Sequence, residues 1–318
     1  MPLRVSGCVH TAKFLRPRGA PTGVYDRAMR TVFFLAAGLG TRLRPLTDEV
    51  PKALVPIGNR PQLLRLAQRF ADLHQVVNAH HHAEQILAAA ARAGITVSSE
   101  REVLGTAGGL RQAWPLFRDG AIWVHNADIE VDPQVVRRAF AHTDAEALAT
   151  LLVGEAQPPG QGAVGLDAER RIVRLRDVSV SAEVSSASYL GVAELAARTR
   201  EHLPERGCLV GEVWIPRLRA GDRLCACDAA SAQRASTSFF DLGTPASYLA
   251  ANLRWLEDAD LLVRAERGAR VDPAARWIVA GEGALVEAPA ERVVVWPGAR
   301  VTEPLHDAIV TRAHVVKI

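Results

Sequence analysis

The chain has 318 residues, of which 48% are hydrophobic and 23% charged, and its formal net charge at pH 7 is +3. This length suits one large α/β domain with a small appendage, and the mild charge gives little reason to expect a nucleic-acid partner. No apolar run reaches the length of a membrane span, so we expect no membrane partner. The four cysteines lack metal-ligand spacing and are few for a disulfide scaffold, which favours a reduced, cytoplasmic setting.

Residues 1–30 differ from the rest of the chain. They contain several arginines, scattered glycine and proline, and no periodic apolar pattern before Thr31. We interpret them as a disordered extension, or as the product of an upstream start codon with Met29 as the functional start. A targeting peptide is less favoured, because no amphipathic run and no signal-peptide apolar region is present.

From Thr31 onward, apolar strands alternate with helical segments. Apolar runs and helical spacing predict strands at 31–35, 75–78, 95–99, 121–125 and 147–153, and helices at 61–73, 83–93, 108–114 and 133–140. Buried strands that alternate with helices are typical of an α/β fold with a doubly wound, mostly parallel sheet. Ligands bind such a sheet at the carboxyl ends of its strands.

The second half of the chain is less regular. Short strands interrupted by Gly and Pro over about 155–240 indicate an inserted subdomain that covers a substrate, and 238–241 is expected to be a returning strand. Thr244 and Pro245 are a good N-cap and first helical residue, which predicts a helix over 246–257. After about residue 268, small and β-branched residues alternate, and this texture resembles a degenerate left-handed β-helix of hexapeptide repeats.

The most informative stretch is residues 33–47, FFLAAGLGTRLRPLT, which is followed by Pro51 and Lys52. An apolar strand leads into a glycine turn and then into two arginines. A backbone-exposing turn with converging cations is what a polyphosphate site needs. Lys52 is one of only three lysines in the chain, which suggests a need for a compact point charge at this position.

Two better-known glycine motifs do not match this stretch. A P-loop needs Gly-x-x-x-x-Gly-Lys-Ser/Thr, and the residues from Gly38 to Arg42 have neither that spacing nor the lysine. The dinucleotide fingerprint needs glycine or alanine at position 43, which is Leu43. Leu43 therefore argues against a dinucleotide oxidoreductase.

The sequence from Leu35 to Thr47, with Pro51–Lys52 beyond it, resembles the signature of the sugar-1-phosphate nucleotidyltransferases, which make nucleotide-sugars. The resemblance implies a Rossmann-like nucleotidyltransferase domain over 31–265 and a short β-helix-like segment over 266–318. It also implies a nucleoside triphosphate and a sugar-1-phosphate as partners, Mg²⁺ as the cofactor and, because of the tail, a homo-oligomer.

The resemblance assigns catalytic roles to Arg42, Lys52 and Asp128. Arg42 would hold the β- and γ-phosphates, and Lys52 would bridge the α-phosphate and the incoming sugar phosphate. Asp128 and Asp241 match the family's metal aspartates, and carboxylate oxygens are the ligands that Mg²⁺ prefers. The nucleotide-binding residues expected from the same signature are Leu35, Ala36, Ala37, Gly38, Gly40, Thr41, Arg42, Glu100 and Gly105.

Glu100 carries the prediction about the base. A carboxylate can accept two parallel bonds from guanine, through N1–H and N2–H₂, whereas uracil offers one donor, so Glu100 favours GTP. The best interpretation is therefore GDP-mannose synthesis, as in mannose-1-phosphate guanylyltransferases. A uridylyltransferase acting on an amino-sugar or muramate phosphate stays open, because the run from Asn78 to His82 looks like that branch. We interpret His80–His82 as loop and packing residues rather than metal ligands.

The sugar side departs from the family pattern. Relatives have Glu-Lys-Pro where this chain reads Arg176-Asp-Val, so the phosphosugar lysine is missing. We interpret Arg174 or Arg176 as the candidate phosphate contact in place of that lysine. The predicted sugar-phosphate ligands are Lys52, Gly165 and Arg176. The missing triplet also keeps open a non-catalytic, regulatory subunit that binds nucleotide-sugars.

Overall fold

The computed structural model describes residues 30–229 and 240–318. The predicted extension, apart from residue 30, and residues 238–239 of the predicted returning strand lie outside this part. A seven-stranded sheet forms the centre. Its strands are β1 (Thr31–Leu35), β2 (His74–Ala79), β3 (Thr96–Ser99), β4 (Ile122–Asn126), β5 (Ala149–Val153), β6 (Tyr189–Leu195) and β7 (Leu224–Asp228). Their order across the sheet is β7-β5-β6-β4-β1-β2-β3. Strand β6 runs antiparallel to its neighbours and the other pairs are parallel, which confirms the predicted sheet.

Both faces of this sheet are covered. Alternate residues of β1 enter different apolar clusters, with Phe33 in one and Val32 and Phe34 in the other. The helices are α1 (Leu46–Glu49), α2 (Gln62–Arg69), α3 (Ala83–Ala93), α4 (Gly105–Ala113), α5 (Pro133–Ala139), α6 (Ile215–Arg219) and α7 (Pro245–Asp258). Short 3₁₀ or π turns occupy Thr41–Leu43, Lys52–Leu54, Trp114–Leu116, Ala197–His202 and Leu209–Trp214.

Helix α4 begins three residues before the predicted start at residue 108. The prediction missed the first residues of the helix because they include glycines, and glycine is a poor helix former. Packing explains them: a Cβ at Gly105 would lie 2.4 Å from the carbonyl oxygen of Gly207, and one at Gly108 would lie 2.4 Å from that of Glu205. Helix α2 is shorter than predicted, because the chain turns at Phe70 to enter β2.

Helix α7 begins as predicted. The Thr244 hydroxyl accepts a hydrogen bond from the Ser247 N–H at 3.2 Å, and the Ser247 hydroxyl accepts one from the Thr244 N–H at 3.0 Å. This reciprocal cap fixes the start of the helix at Pro245. Within the described ranges, no helix is both long and apolar enough to cross a membrane.

The irregular middle of the chain forms a second, antiparallel sheet. Its strands are Val164–Leu166, Ile172–Leu175, Val178–Ser179 and Ser185–Ala187. Two small antiparallel strand pairs join Ile129–Glu130 to Phe240–Asp241 and Pro56–Ile57 to Arg60–Pro61.

The C-terminal region is a stack of short, mostly parallel strands. One sheet contains Val263–Ala265, Arg276–Ala280, Ala290–Val295, Leu305–Val310 and Val315–Lys317, and another contains Arg270–Val271, Leu285–Val286 and Arg300–Val301. This arrangement is consistent with the predicted β-helix-like appendage. Strand Val263–Ala265, whose residues fall at the end of the predicted first domain, is the edge strand of this stack.

The repeat of this stack differs from the predicted hexapeptide. Residues opposite each other in successive parallel strands are 15 apart, as in the series Val263, Ile278, Val293 and Ala308. Because 15 is not a multiple of six, the spacing of Ala284 and Ala290 is not the repeat unit. The handedness of the coil stays a prediction.

Candidate active site

A cleft with a volume of about 320 Å³ opens at the carboxyl ends of β1, β2, β3 and β4. Parallel strands end at the same edge of a sheet, so distant segments of the chain meet there. All of the predicted nucleotide-binding residues line the cleft, together with Lys52 and Asp128. The remaining lining residues are Ala53, Asn78, Val103, Thr106, Asn126, Ala127 and Gly243.

The glycine turn forms one wall of the cleft. Gly40 has a left-handed φ of 63°, and a Cβ there would lie 2.8 Å from the Thr47 methyl group. The Thr47 hydroxyl donates to the Gly40 carbonyl at 2.9 Å, which closes the turn. Gly38 is different, because nothing lies within 4 Å of the position of a Cβ. The fold requires glycine at position 40, whereas at position 38 a side chain would occupy only the open cleft.

Asn78 and Glu100 support this turn from below. The Asn78 Oδ1 accepts hydrogen bonds from the N–H groups of Ala36 and Ala37, at 2.6 and 3.2 Å. Its Nδ2 donates to the Glu100 Oε1 at 2.7 Å, and the Glu100 Oε2 accepts from the Leu104 N–H at 3.2 Å. Both side chains are buried. This network ties the glycine turn to the start of α4.

Lys52 and Asp128 form an ion pair inside the cleft. Lys52 lies in the turn after Pro51, and Asp128 follows the end of β4. Their side chains are 14% and 24% exposed, so solvent screens the pair only in part. The structure therefore joins two of the three residues that we predicted to be catalytic.

Asp241 lies beside Asp128 although more than a hundred residues separate them. The pairing of Asp241 with Ile129 and the hydrogen bond from the Leu242 N–H to the Asp128 carbonyl, at 3.0 Å, bring the two segments together. The Asp241 carboxylate and the Arg42 guanidinium flank Gly243, where a Cβ would lie 2.9 Å from the former and 3.2 Å from the latter. The segments that carry the two predicted metal aspartates are thus adjacent, and Asp128 and Gly243 line the cleft there.

Arg42 and Arg44 differ in their surroundings. Arg44 pairs with Asp48 at 3.2 Å on the exposed side of α1. Arg42 lines the cleft and has no hydrogen-bond or ion-pair partner among residues 30–229 and 240–318. Its charge is available to an anion in the cleft.

The predicted sugar-phosphate residues of the second sheet do not line this cleft. Gly165 is covered by Glu183, whose Oε2 lies 1.6 Å from the position of a Cβ. Arg174 is engaged with the same Glu183 at 2.8 Å and with two backbone carbonyls, so its guanidinium is committed to the fold. Arg176 contacts the Cys208 Sγ at 3.5 Å and remains solvent-exposed. A role for Gly165 or Arg176 in sugar binding stays a prediction.

The histidine run packs the loop after β2, as predicted. His80 and His81 make ring hydrogen bonds at 3.1 Å to the carbonyls of Glu100 and Thr47, and His82 adopts a left-handed φ of 50° before α3. Within the described part of the chain, no group of three or more His, Cys, Asp or Glu side chains could hold a metal ion.

His125 of β4 is a buried histidine under the cleft. Burial lowers its pKa from 6.5 to about 4, so the ring is neutral at pH 7. Its Nδ1 lies 2.8 Å from the Asn126 carbonyl, and its Nε2 has no partner in the described ranges. The ring packs against Phe34 and Phe70, which is a structural role.

Sequence reasoning missed the functional position of Asn78. The signal was available, because Asn78 is a polar residue at the carboxyl end of a buried parallel strand, as Asn126 is. Gly243 was also missed. It lines the cleft beside Arg42 because the chain returns to the cleft after residue 240, and no local sequence signal reports this proximity.

The fold and the site define a class of protein. Residues 32–258 match the profile of the nucleotidyl transferase family, and this chain belongs to that family.

Relatives of two kinds match this chain. An N-acetylmuramate alpha-1-phosphate uridylyltransferase from Caulobacter vibrioides is 31% identical over 224 residues, which cover 63% of this chain and 88% of that protein. A mannose-1-phosphate guanyltransferase from Debaryomyces hansenii is 33% identical over 138 residues, covering 40% of this chain and 38% of that protein. A mannose-1-phosphate guanylyltransferase catalytic subunit beta from Xenopus tropicalis is 33% identical over 172 residues, or 49% and 48% of the two chains. The chain thus spans less than half the length of these mannose-1-phosphate relatives.

Solved structures share the fold. HddC from Yersinia pseudotuberculosis, complexed with GMP-PN, superposes with a TM-score of 0.55 at 19% identity, over 71% of this chain and 99% of that one. The inositol-1-phosphate CTP transferase from T. maritima superposes with a TM-score of 0.54 at 18% identity, over 69% and 91%.

Proposed function

We propose that this protein transfers a nucleoside monophosphate from a nucleoside triphosphate to a sugar-1-phosphate and releases pyrophosphate. The observation that supports this most is the meeting of Arg42, Lys52 and Asp128 in one cleft walled by the glycine turn, with the segment of Asp241 paired next to Asp128. Both substrates are anions, so the reaction needs positioning and charge neutralisation more than covalent catalysis. The cleft offers cations for the phosphates and, beside them, carboxylates for a metal ion.

In the proposed reaction, an oxygen of the sugar phosphate attacks the α-phosphorus of the triphosphate. The bond from that phosphorus to the bridging oxygen of the β-phosphate breaks, and pyrophosphate leaves with the bonding electron pair. Arg42 has no competing partner in the described ranges, which suits it to hold the β- and γ-phosphates. Lys52 would approach the α-phosphate, because its ammonium group is the more buried of the two cations. N–H groups of the glycine turn would complete the contact.

The residues present suit a divalent cation. Asp128 and Asp241 come from adjacent segments at one end of the cleft, and two carboxylates with substrate oxygens make the kind of ligand set that Mg²⁺ takes. When bound, Mg²⁺ would neutralise charge on the phosphates. Asp128 and Asp241 would hold the ion, and Lys52, which contacts Asp128, would lie next to the phosphates.

The identity of the nucleotide has two candidates. Guanine is supported by the presence of Glu100 in the cleft and by the mannose-1-phosphate guanyltransferase relatives. Uracil is supported by the muramate relative, of which this chain covers 88%. It is also supported by the hydrogen bonds of Glu100, since each of its oxygens already accepts one from the protein. A carboxylate occupied in this way is a poorer bidentate partner for guanine, so we place the uridine nucleotide first.

Pyrophosphate release should be measured across the four nucleoside triphosphates and a panel of sugar-1-phosphates that includes N-acetylmuramate and mannose. We expect release with UTP and N-acetylmuramate-1-phosphate. Release with GTP and mannose-1-phosphate alone would reverse the ranking of the two nucleotides. Tight nucleotide-sugar binding without any release would instead support the regulatory subunit that the missing Glu-Lys-Pro triplet left open.

A further inference from the structure

The reverse side of the cation-bearing segment rests on an apolar cluster. Leu43 follows Arg42 directly, Leu46 begins α1, and both side chains are fully buried. They belong to one cluster with Val55, with residues of α7 and with residues of the C-terminal stack. The members from α7 are Tyr248, Leu249, Leu253 and Leu256, and those from the stack are Val279, Val294, Trp296 and Ile309.

Polar contacts hold the stack at a fixed position in this cluster. The Trp296 Nε1 donates to the Tyr248 hydroxyl at 3.0 Å, in a fully buried setting. The Thr311 hydroxyl donates to the Glu49 carboxylate at the end of α1. The Asn59 amide donates to the carbonyl of Ala280 at 2.9 Å. The bonds of Thr311 and Ala280 join the stack directly to the segment between residues 43 and 60. The bond of Trp296 joins the stack to α7.

The segment on the other side of the cluster is short and tightly folded. The Thr47 hydroxyl closes the glycine turn on Gly40, and a Cβ at Gly40 would lie 3.2 Å from the Lys52 Cβ. Because close-packed apolar groups transmit displacement rather than absorb it, a shift of Leu43 would move Arg42. A misplacement of about 1 Å in such a site costs up to about 100-fold in rate.

We propose that the C-terminal stack is the support that sets the position of Arg42, and that Val294 and Trp296 are positioning residues for the transfer reaction. This inference rests on the proposed role of Arg42 toward the triphosphate. The stack thus contributes to catalysis through packing, with α7 as the intermediate, and it needs no ligand of its own to do so.

Adjacent valines of one strand provide a matched test. Val293 and Val294 are both fully buried, but Val293 belongs to the interior cluster of the stack and Val294 to the cluster under Arg42. Val293→Ala and Val294→Ala remove the same atoms from the same strand, so their losses of thermal stability should be similar. We expect V294A to lower kcat about tenfold and to weaken binding of the Mg²⁺–UTP complex several-fold. V293A should stay within about twofold of the wild type in both.

Hydrogen exchange gives a readout that does not need activity. Peptides covering residues 41–50 should exchange faster in V294A than in V293A. The conservative variant Val294→Ile, which keeps a large apolar side chain, should exchange as slowly as the wild type. If V294A does not fold, the same measurements can be made on two milder variants. These are Trp296→Phe, which keeps a ring and removes the N–H donor, and Ile309→Val. Equal exchange and equal kinetics for the two alanine variants would overturn the inference. Absence of turnover in the wild type would instead count against the proposed function. The exchange comparison would still test whether the C-terminal stack holds the segment of Arg42 in place.

Discussion

Lys52 and Asp128 are ion-paired across 76 residues of chain, inside a cleft where both are predicted to act. A partly buried ammonium group and carboxylate that compensate each other make the ligand-free cleft less costly to maintain than either charge alone. Under the proposed function the same two residues also meet the phosphates and a metal ion, and the pair would then link the stability of the cleft to ligand binding.

Replacing Lys52 tests the cation at the α-phosphate. Lys52→Ala should lower kcat by about 100-fold or more, because a preorganised charge is removed from the transition state, while nucleotide affinity falls much less. Pyrophosphate release and isothermal titration measure the two effects. Lys317→Ala removes an exposed lysine elsewhere and should leave both unchanged. Activity of K52A within twofold of the wild type would contradict the assigned role.

Removal of the metal tests the two aspartates. Incubation with EDTA should abolish pyrophosphate release, and excess Mg²⁺ should restore it. Asp128→Asn and Asp241→Asn should raise the Mg²⁺ concentration needed for half-maximal rate about tenfold or more, since each removes one charge from the ion's ligands. Asp48→Asn, on the exposed face of α1, is the control. An unchanged Mg²⁺ requirement in both variants would exclude the aspartates as ligands.

The two glycines of the turn should respond differently to alanine. Gly40→Ala forces an L residue into a left-handed φ of 63° and a contact of 2.8 Å with Thr47, so it should destabilise the protein by about 1–3 kcal/mol. Gly38→Ala meets nothing within 4 Å and should leave stability nearly unchanged while weakening nucleotide binding. Urea unfolding and nucleotide titration separate the effects. If G38A bound nucleotide as well as the wild type, the backbone at Gly38 would not contact the ligand.

Removal of the Asn78 side chain should affect the turn from below. Asn78→Ala leaves two backbone N–H groups and one Glu100 oxygen without their partners, which should cost about 3 kcal/mol. Nucleotide affinity should fall as well, because the turn loses its anchor. Gln112→Ala, which removes an exposed amide on α4, should change unfolding free energy by less than about 1 kcal/mol. Similar losses in the two variants would show that the Asn78 network carries little energy.

His125 should make stability depend on pH. Its pKa in the folded protein, about 4, lies below the ordinary 6.5, so the unfolded chain binds the proton more tightly. The stabilising contribution is complete above pH 6.5 and is lost as the pH falls toward 4. Between pH 7.5 and 5 the wild type should lose about 2 kcal/mol more unfolding free energy than His125→Leu. His142→Gln, at an exposed histidine, should follow the wild type; a parallel decline in H125L would contradict a neutral buried His125.

The sequence predicted local features well where the signal is local. The strand at Thr31–Leu35, the helix at Ala83–Ala93 and the Thr244 cap were all correct, since period, propensity and capping chemistry lie within a few residues. The start of α4 was missed, because its glycines serve contacts with residues near 205–207. The repeat of the stack was missed for a related reason. The strand register pairs residues that are 15 apart, and the six-residue spacing of Ala284 and Ala290 gives no information about that register.

By itself, the sequence determined the parallel sheet, the glycine turn and the residue types that a phosphate site needs. The sheet follows from the spacing of apolar residues. The turn and the phosphate-binding residue types follow from glycines and basic residues that are close together in the chain. Tertiary structure alone decided that Asp241 lies beside Asp128, that Asn78 and Glu100 hold the turn, and that the C-terminal stack belongs to the apolar cluster that buries Leu43. The physical reason is that chain folding, not sequence spacing, brings distant strand ends and apolar faces together. Their contacts depend on the whole arrangement of strands and helices.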